Sequence, residues 1–239
     1  GGTPGPWSAF AVHLSEGDPG ALGAVKHGLA GVQDEGSQLM ALALANAPLD
    51  GPDRLWVDLC AGPGGKAALL DLLAEERDAV LLALEAQHHR SRLVQRSGVT
   101  TVVTADARTP PLRPGSVDRV LLDAPCSGLG ALRRRPEARW RRQPSDLPSL
   151  TRLQGELIDS AVRLLRPGGV LAYVTCSPHL AETVVPVGDA LRRHPLLEQL
   201  DARPLLPGVP DLGEGPAVQL WPHLHGTDAM HLSLLRVRP

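Results

Sequence analysis

Apolar residues recur along the chain at two spacings. Four largely apolar runs of strand length, Leu55–Leu59, Val80–Leu84, Thr100–Thr104 and Arg119–Leu122, are separated by helical stretches at Lys66–Glu76 and Gln87–Ser97. A fifth run, Val170–Thr175, follows a long helical pattern around Leu153–Leu165 and the turn Arg166-Pro167-Gly168-Gly169. Upstream, Leu39–Ala47 reads as a helix that ends before Pro48, because a proline restricts the residue before it to extended backbone. Strands alternating with helices at this spacing predict an α/β fold, a mostly parallel doubly wound sheet covered on both faces. In such sheets ligands bind beyond the carboxyl ends of the strands.

Residues 1–30 carry only short apolar pieces broken by Gly and Pro, and are expected to be the remnant of an upstream region or a linker, with the organised domain spanning 31–239. A chain that is 43% hydrophobic and 21% charged supports one substantial core, and its 25 Gly and 23 Pro fall between apolar runs, as turns do. A net charge of −2 gives no global nucleic-acid signature, so any such contact has to be local. The pattern contains neither a long apolar span nor a basic leader followed by an apolar one, so no membrane partner and a cytoplasmic location are expected. Three cysteines, Cys60, Cys126 and Cys176, are too widely spaced for a zinc pattern or a compact disulfide framework. A site built from His223, His225 and His231 lacks a carboxylate and a role, so no metal is expected. A monomer is compatible with all of this.

Between the first strand and the first helix lies Asp58-Leu59-Cys60-Ala61-Gly62-Pro63-Gly64-Gly65-Lys66. Glycines allow a sharp turn and close approach to a ligand, and free amides at a helix start hold a carboxylate or phosphate. Glu85 closes the second strand 20 residues after Gly65, where a carboxylate accepts from both ribose hydroxyls. Asp106, beyond the third strand, is placed either to accept from an adenine amine or to cap a loop. A nucleoside cofactor follows, but dehydrogenases share these features. A nicotinamide-dependent oxidoreductase therefore stays open at this point.

The cysteines separate the alternatives. Asp123-Ala124-Pro125-Cys126-Ser127-Gly128 and Thr175-Cys176-Ser177-Pro178 follow the fourth and fifth strands and would project into one crevice. Carbon 5 of cytosine is a poor nucleophile until a thiolate adds at carbon 6, after which it can attack a methyl sulfonium. One thiol therefore serves as nucleophile, a second group assists elimination, and a carboxyl such as Asp123 stabilises charge at ring N3. Buried cysteines acting as small apolar residues are the bland alternative.

These residues resemble the RsmB-type (Sun/Fmu) RNA cytosine-5 methyltransferases, from about Gly31 to the C-terminus and most specifically over Asp58–Lys66, Asp123–Gly130 and Tyr173–Ser177. The resemblance implies a Rossmann-like methyltransferase fold. It also implies S-adenosylmethionine as cofactor, surrounded by Cys60, Ala61, Gly62, Pro63, Gly64, Gly65, Lys66, Glu85, Asp106 and Asp123. By the same match Cys176 is the nucleophile and Cys126 the cysteine that helps release methylated RNA, while Cys60 either touches the cofactor or packs. The substrate implied is RNA, small-subunit (16S) ribosomal RNA first and transfer RNA second. A non-catalytic RNA-binding relative of the same fold is the remaining alternative. The sequence departs from the family at Gly62, Ala67 and Glu85, and at Ala229-Met230-His231, which puts the packing of the last strand in question.

Six arginines fall between Arg133 and Arg142, just after the Asp123–Gly130 loop. Of these, Arg133, Arg134, Arg135 and Arg139 are expected to hold phosphates, with Trp140 as a platform for a base. A solvated basic face is the alternative.

Overall fold

Every apolar run read as a strand pairs within one sheet of the computed structural model, which describes residues 2–239. A hairpin of β1 (Gly2–Pro4) and β2 (Val12–Leu14) and a helical turn α1 (Gly23–Lys26) come first. Then follow α2 (Glu35–Asn46), β3 (Leu55–Asp58), α3 (Gly65–Glu75), β4 (Val80–Glu85), α4 (His88–Arg96), β5 (Val102–Thr104) and β6 (Val117–Asp123). The chain continues through α5 (Ala138–Arg141), α6 (Leu147–Leu164), β7 (Leu165–Thr175), α7 (Val184–Arg193) and β8 (Leu197–Leu200). It ends with β9 (Val218–Gln219), α8 (Pro222–His225) and β10 (His231–Val237).

The strand order is β5-β4-β3-β6-β7-β10-β8, with β9 beside β10. Strands β3 to β7 are parallel to their neighbours, whereas β10 runs antiparallel to β7, β8 and β9. The chain winds outward from β3 through β4 to β5, then returns to place β6 on the other side of β3. That reversal is the topological switch point, and it opens a crevice where β3 and β6 end.

Alternation along the strands divides the core between the two faces. Trp56, Leu121, Ala172 and Val174 join the layer under α2 and α3, whereas Val57, Val120, Leu122, Leu171 and Tyr173 join the layer under α6 and α7. Arg119, buried in β6, donates to the carbonyls of Leu44 and Ala47 at 2.7 and 2.8 Å and pairs with Asp53. It thereby satisfies the last turn of α2, whose own helix partners end before Pro48.

Expected boundaries move, in two places for reasons the side chains show. Thr100 is taken out of β5 because its amide donates to Asp71 of α3 at 3.0 Å. The turn at Arg166–Gly169 lies within β7 as a wide irregularity: Leu165 pairs with Val117 and Val170 with Arg119, and Arg166 turns aside to bind Asp118 at 2.5 Å. The divergent Ala229-Met230-His231 segment is buried and runs directly into β10.

Within residues 1–30, the hairpin region folds back on the sheet domain. The Trp7 and Ser8 amides donate to buried Glu35 at 2.8 and 2.7 Å, and the Trp7 indole donates to the His225 carbonyl at 2.8 Å. Among the described residues, no helix is long and apolar enough to cross a membrane.

Candidate active site at the switch point

Strand β3 delivers Asp58 to the crevice, and the loop after it turns into α3 at Gly64, whose φ of 119° favours glycine. A Cβ there would also crowd the Val94 backbone at 3.0 Å. At Gly62 a Cβ would run into the Glu85 carboxylate and would stand 2.8 Å from the Arg90 guanidinium. Lacking one, Gly62 lets Glu85 close on the loop: its amide donates to Glu85 Oε2 at 3.1 Å, and the Gln87 amide donates to Oε1 at 3.0 Å. Arg90 lies 3.4 Å from the same carboxylate and donates to the Gly62 carbonyl at 2.6 Å.

Asp58 is a buried acid that sequence reasoning placed only as part of the loop. Its Oδ1 accepts from the Cys60 amide at 3.1 Å, while Oδ2 is buried without a partner. Burial first, and the charge of Asp123 second, push its pKa up to about 7. Burial likewise pushes the Cys60 thiol well up, and this side chain packs on the α6–α7 layer. Asp106 is exposed and held by Arg108, whose hydrogen bonds lower its pKa. Any ligand reaching Asp106 therefore meets an existing ion pair.

Across the crevice β6 ends at Asp123 and β7 at Thr175, in register with Val174 opposite Asp123. Both cysteine loops leave from here, and Cys126 Sγ lies 3.3 Å from Cys176 Sγ. The Gly130 amide donates to the Cys176 carbonyl at 2.9 Å, and a Cβ on Gly130 would collide with that backbone and with the Ala229 carbonyl. The Lys66 ammonium, from the first turn of α3, donates to Asp123 Oδ2 at 2.7 Å.

The two thiols are electrostatically unequal. A hydrogen bond from Cys126, outweighing burial, pulls the Cys176 pKa down, and the Lys66 ammonium acts in the same direction. That same hydrogen bond and burial push Cys126 well up. Cys176 is thus the thiol more readily ionised.

The arginine segment divides in two. Arg133 pairs with buried Asp34 at 2.8 Å, and Arg134 grips buried Asp228 through Nε and Nη2 at 3.0 and 2.5 Å. Two of the four guanidiniums expected to hold phosphates are thus engaged by buried carboxylates. Arg135 and Arg139 are exposed with no side-chain partner among the described residues, and Trp140 is 80% exposed. The histidines do not converge. His225 is engaged by the Trp221 amide and the Pro210 carbonyl, and His231 by Ser233.

Sequence reasoning missed Gln154 and Glu182, both fully buried behind the cysteine loops. Gln154 had a signal, a polar residue within the stripe Leu153, Leu157, Ile158, Ala161 of α6. Glu182 had none beyond its place six residues after Cys176.

Comparison with known proteins agrees with this architecture. The family model described as "16S rRNA methyltransferase RsmB/F" matches residues 43–236. A Mycobacterium tuberculosis protein named as a methyltransferase without a stated substrate is 59% identical over 98% of this chain and 52% of its own length. The ribosomal RNA small subunit methyltransferase B of Erwinia tasmaniensis is 36% identical over 90% of this chain and 49% of its own. Among solved structures, NSun6 from Pyrococcus horikoshii, determined with an S-adenosylmethionine analogue, superposes with a TM-score of 0.77 at 27% identity, covering 96% of this chain and 60% of that one. The chain spans about half the length of the curated relatives it matches. With the family model covering its sheet, its cofactor loop and both cysteine loops, the chain belongs to the RsmB/F family of S-adenosylmethionine-dependent RNA cytosine-5 methyltransferases.

Proposed function

We propose that this chain methylates carbon 5 of cytosine in small-subunit ribosomal RNA, in the cytoplasm, with Cys176 as nucleophile and Cys126 as the residue that assists release. The observation that carries the reading is the 3.3 Å apposition of two unequal thiols beside the Lys66–Asp123 pair. Ribosomal RNA as substrate rests on the name of the Erwinia tasmaniensis relative and of the family model.

The crevice fits the cofactor. Asp58 has a buried oxygen free to accept, and Glu85, with two amide donors on its two oxygens, keeps lone pairs for ribose hydroxyls. The residues from Cys60 to Lys66 would frame the methionine part, and Asp106 the adenine. S-adenosylmethionine supplies an electrophilic methyl group on a sulfonium.

The chain's own residues do the rest. Cys176 Sγ, as thiolate, bonds to carbon 6 of the ring, and the electron pair of the 5,6 double bond moves to carbon 5. Asp123 in its acid form donates a hydrogen bond to ring N3 and steadies the charge that addition builds there, and Lys66 holds the Asp123 side chain in place. After methylation Cys126, as thiolate, takes the proton from carbon 5, the 5,6 double bond re-forms, and the Sγ–carbon 6 bond breaks with its electron pair returning to Cys176. Cys126 stands where it assists that elimination. Arg135, Arg139 and Trp140 are the proposed RNA contacts; Arg133 and Arg134 brace the loop that carries them.

Transfer of tritium from labelled S-adenosylmethionine to ribosomal RNA, followed by bisulfite mapping, tests the reading. Labelling of transfer RNA alone would move the substrate, and no labelling of any RNA would remove the activity.

A further inference from the structure

Glu182 is a buried carboxylate in a short turn ahead of α7, with 0% of its surface exposed. No basic side chain among the described residues makes an ion pair with it; four neutral donors surround it instead. The Ser127 amide and the Gln154 side-chain amide donate to Oε1 at 2.7 and 3.2 Å, and the Ser127 and Ser177 hydroxyls donate to Oε2 at 2.5 and 2.7 Å. Burying such a group is costly, and it persists only when its lone pairs are filled, as they are here.

The donors are placed with regard to the cysteines. Ser127 follows Cys126 and Ser177 follows Cys176, so one carboxylate bridges the two loops that leave β6 and β7. Gln154 acts from behind, donating through the same nitrogen to the carbonyl of Pro125, the residue before Cys126, at 2.9 Å. Turning that amide over would set its oxygen against a carbonyl and a carboxylate, so the orientation is enforced although Oε1 is left buried without a partner. The Tyr173 hydroxyl, from β7, fixes the Glu182 backbone through its carbonyl at 2.8 Å.

We propose that Glu182 is a positioning residue for the cysteine pair: bridging Ser127 and Ser177, with Gln154 behind it, it sets the spacing of Cys126 and Cys176. This rests on the reading of those thiols as nucleophile and release group. Glu182 touches no reacting atom. Its effect is to keep the Cys126 thiol as hydrogen-bond donor to Cys176, and its negative charge is among those that resist ionisation of Cys126. Asp123, Lys66, Asp228 and Arg134 face Cys176 from β6, α3, the segment before β10 and the loop before α5, and none of them bonds to Glu182.

The test uses the full 239-residue chain and iodoacetamide, with the two cysteine peptides resolved by mass spectrometry from pH 6 to 9. In Glu182→Gln, Cys126 is expected to alkylate about tenfold faster relative to Cys176, and the midpoint for Cys176 to rise, as the thiol–thiolate hydrogen bond breaks. Ser177→Ala, which removes one donor and keeps the fold, moves the ratio in the same direction by less. With RNA and cofactor present, kcat in Glu182→Gln falls about 10–100-fold at unchanged KM, and the protein–RNA adduct accumulates. Both thiols accelerating together would report general loosening and overturn the proposal, as would a wild-type ratio in both variants. Should the wild-type protein form no adduct with any RNA, the methyltransferase reading fails, while the alkylation ratio still judges Glu182.

Discussion

Lys66 and Asp123, 57 residues apart in sequence, meet through a 2.7 Å hydrogen bond that ties the cofactor loop to the strand leading to Cys126. Burial alone would pull the Lys66 ammonium down, but Asp123 and then Cys176 reverse this, and its pKa is raised. Lys66 therefore stays charged at neutral pH. One cation serves both halves of the crevice, binding Asp123 and favouring the Cys176 thiolate.

Replacing Lys66 with Met removes that cation. The pH midpoint of Cys176 alkylation is expected to rise by about 1 unit, since an opposite charge at short range is worth one to three. Mass spectrometry of the iodoacetamide-treated protein reads it directly. An unchanged midpoint would mean that Cys126 alone sets the reactivity of Cys176.

Asp58 makes stability depend on pH. Its folded pKa, about 7, lies above the ordinary 3.8, so its contribution is full below pH 3.8 and is lost as pH rises through 7. Asp58→Asn keeps the shape and removes the titration. Without cofactor, the variant is expected to gain on wild type between pH 5 and pH 8 by an amount of order 2–4 kcal/mol, seen as several degrees in Tm. A Tm difference that ignores pH would mean that Asp58 is ionised throughout.

What the sequence disclosed and what it hid follow from the range of the contacts. The loop from Asp58 to Lys66 is local: a strand, glycines and a helix start adjoin one another, so pattern was enough to place it. Glu85 and both cysteines were legible because a doubly wound sheet sends the ends of neighbouring strands to one crevice. Glu182 was not, and Gln154 showed only as a polar break in the apolar stripe of α6, because their role is a contact between three elements whose separations of 28 and 55 residues carry no pattern. Arg134 was misleading for the same reason. Its partner Asp228 lies 94 residues away, so six arginines in a row of ten read as one free surface.

Glu85→Ala takes away the acceptor at the end of β4. Loss of two hydrogen bonds to a charged group should weaken S-adenosylmethionine binding about 10–100-fold in calorimetry. Wild-type affinity would remove Glu85 from the site and leave it as a brace for Gly62 and Arg90.

The two classes of arginine should part company on mutation. Arg134→Ala leaves buried Asp228 with only the Arg133 guanidinium, at 3.7 Å, and is expected to cost about 1–3 kcal/mol of stability, a marked fall in Tm. Replacing Arg135 and Arg139 together should leave Tm unchanged, weaken RNA binding, and flatten the dependence of log affinity on log salt by about 0.7 for each phosphate no longer neutralised. Trp140→Ala should weaken binding without altering that slope, because stacking releases no counterions. A wild-type salt slope in the double variant would return Arg135 and Arg139 to ordinary solvated surface.

The order of the two cysteines is the sharpest prediction, because their geometry is nearly symmetric while their electrostatics are not. Each sulfur lies 3.3 Å from the other, so distance alone assigns neither role. The asymmetry comes first from the hydrogen bond between them, which favours ionisation of Cys176 and opposes that of Cys126; Lys66 adds to the first effect and Glu182 to the second, while Asp123 opposes ionisation of both. Cys176→Ala should therefore abolish the covalent adduct altogether. Cys126→Ala should still allow attack and methylation but slow elimination, leaving RNA bound to the protein as a band that survives denaturation. In that variant Cys176 also lacks the thiol that donates to it, so its alkylation midpoint should rise and the adduct should form more slowly below pH 7 than above. Survival of the band in Cys176→Ala with its disappearance in Cys126→Ala would reverse the assignment. The charges around the pair would then have to be outweighed by the way RNA presents its ring.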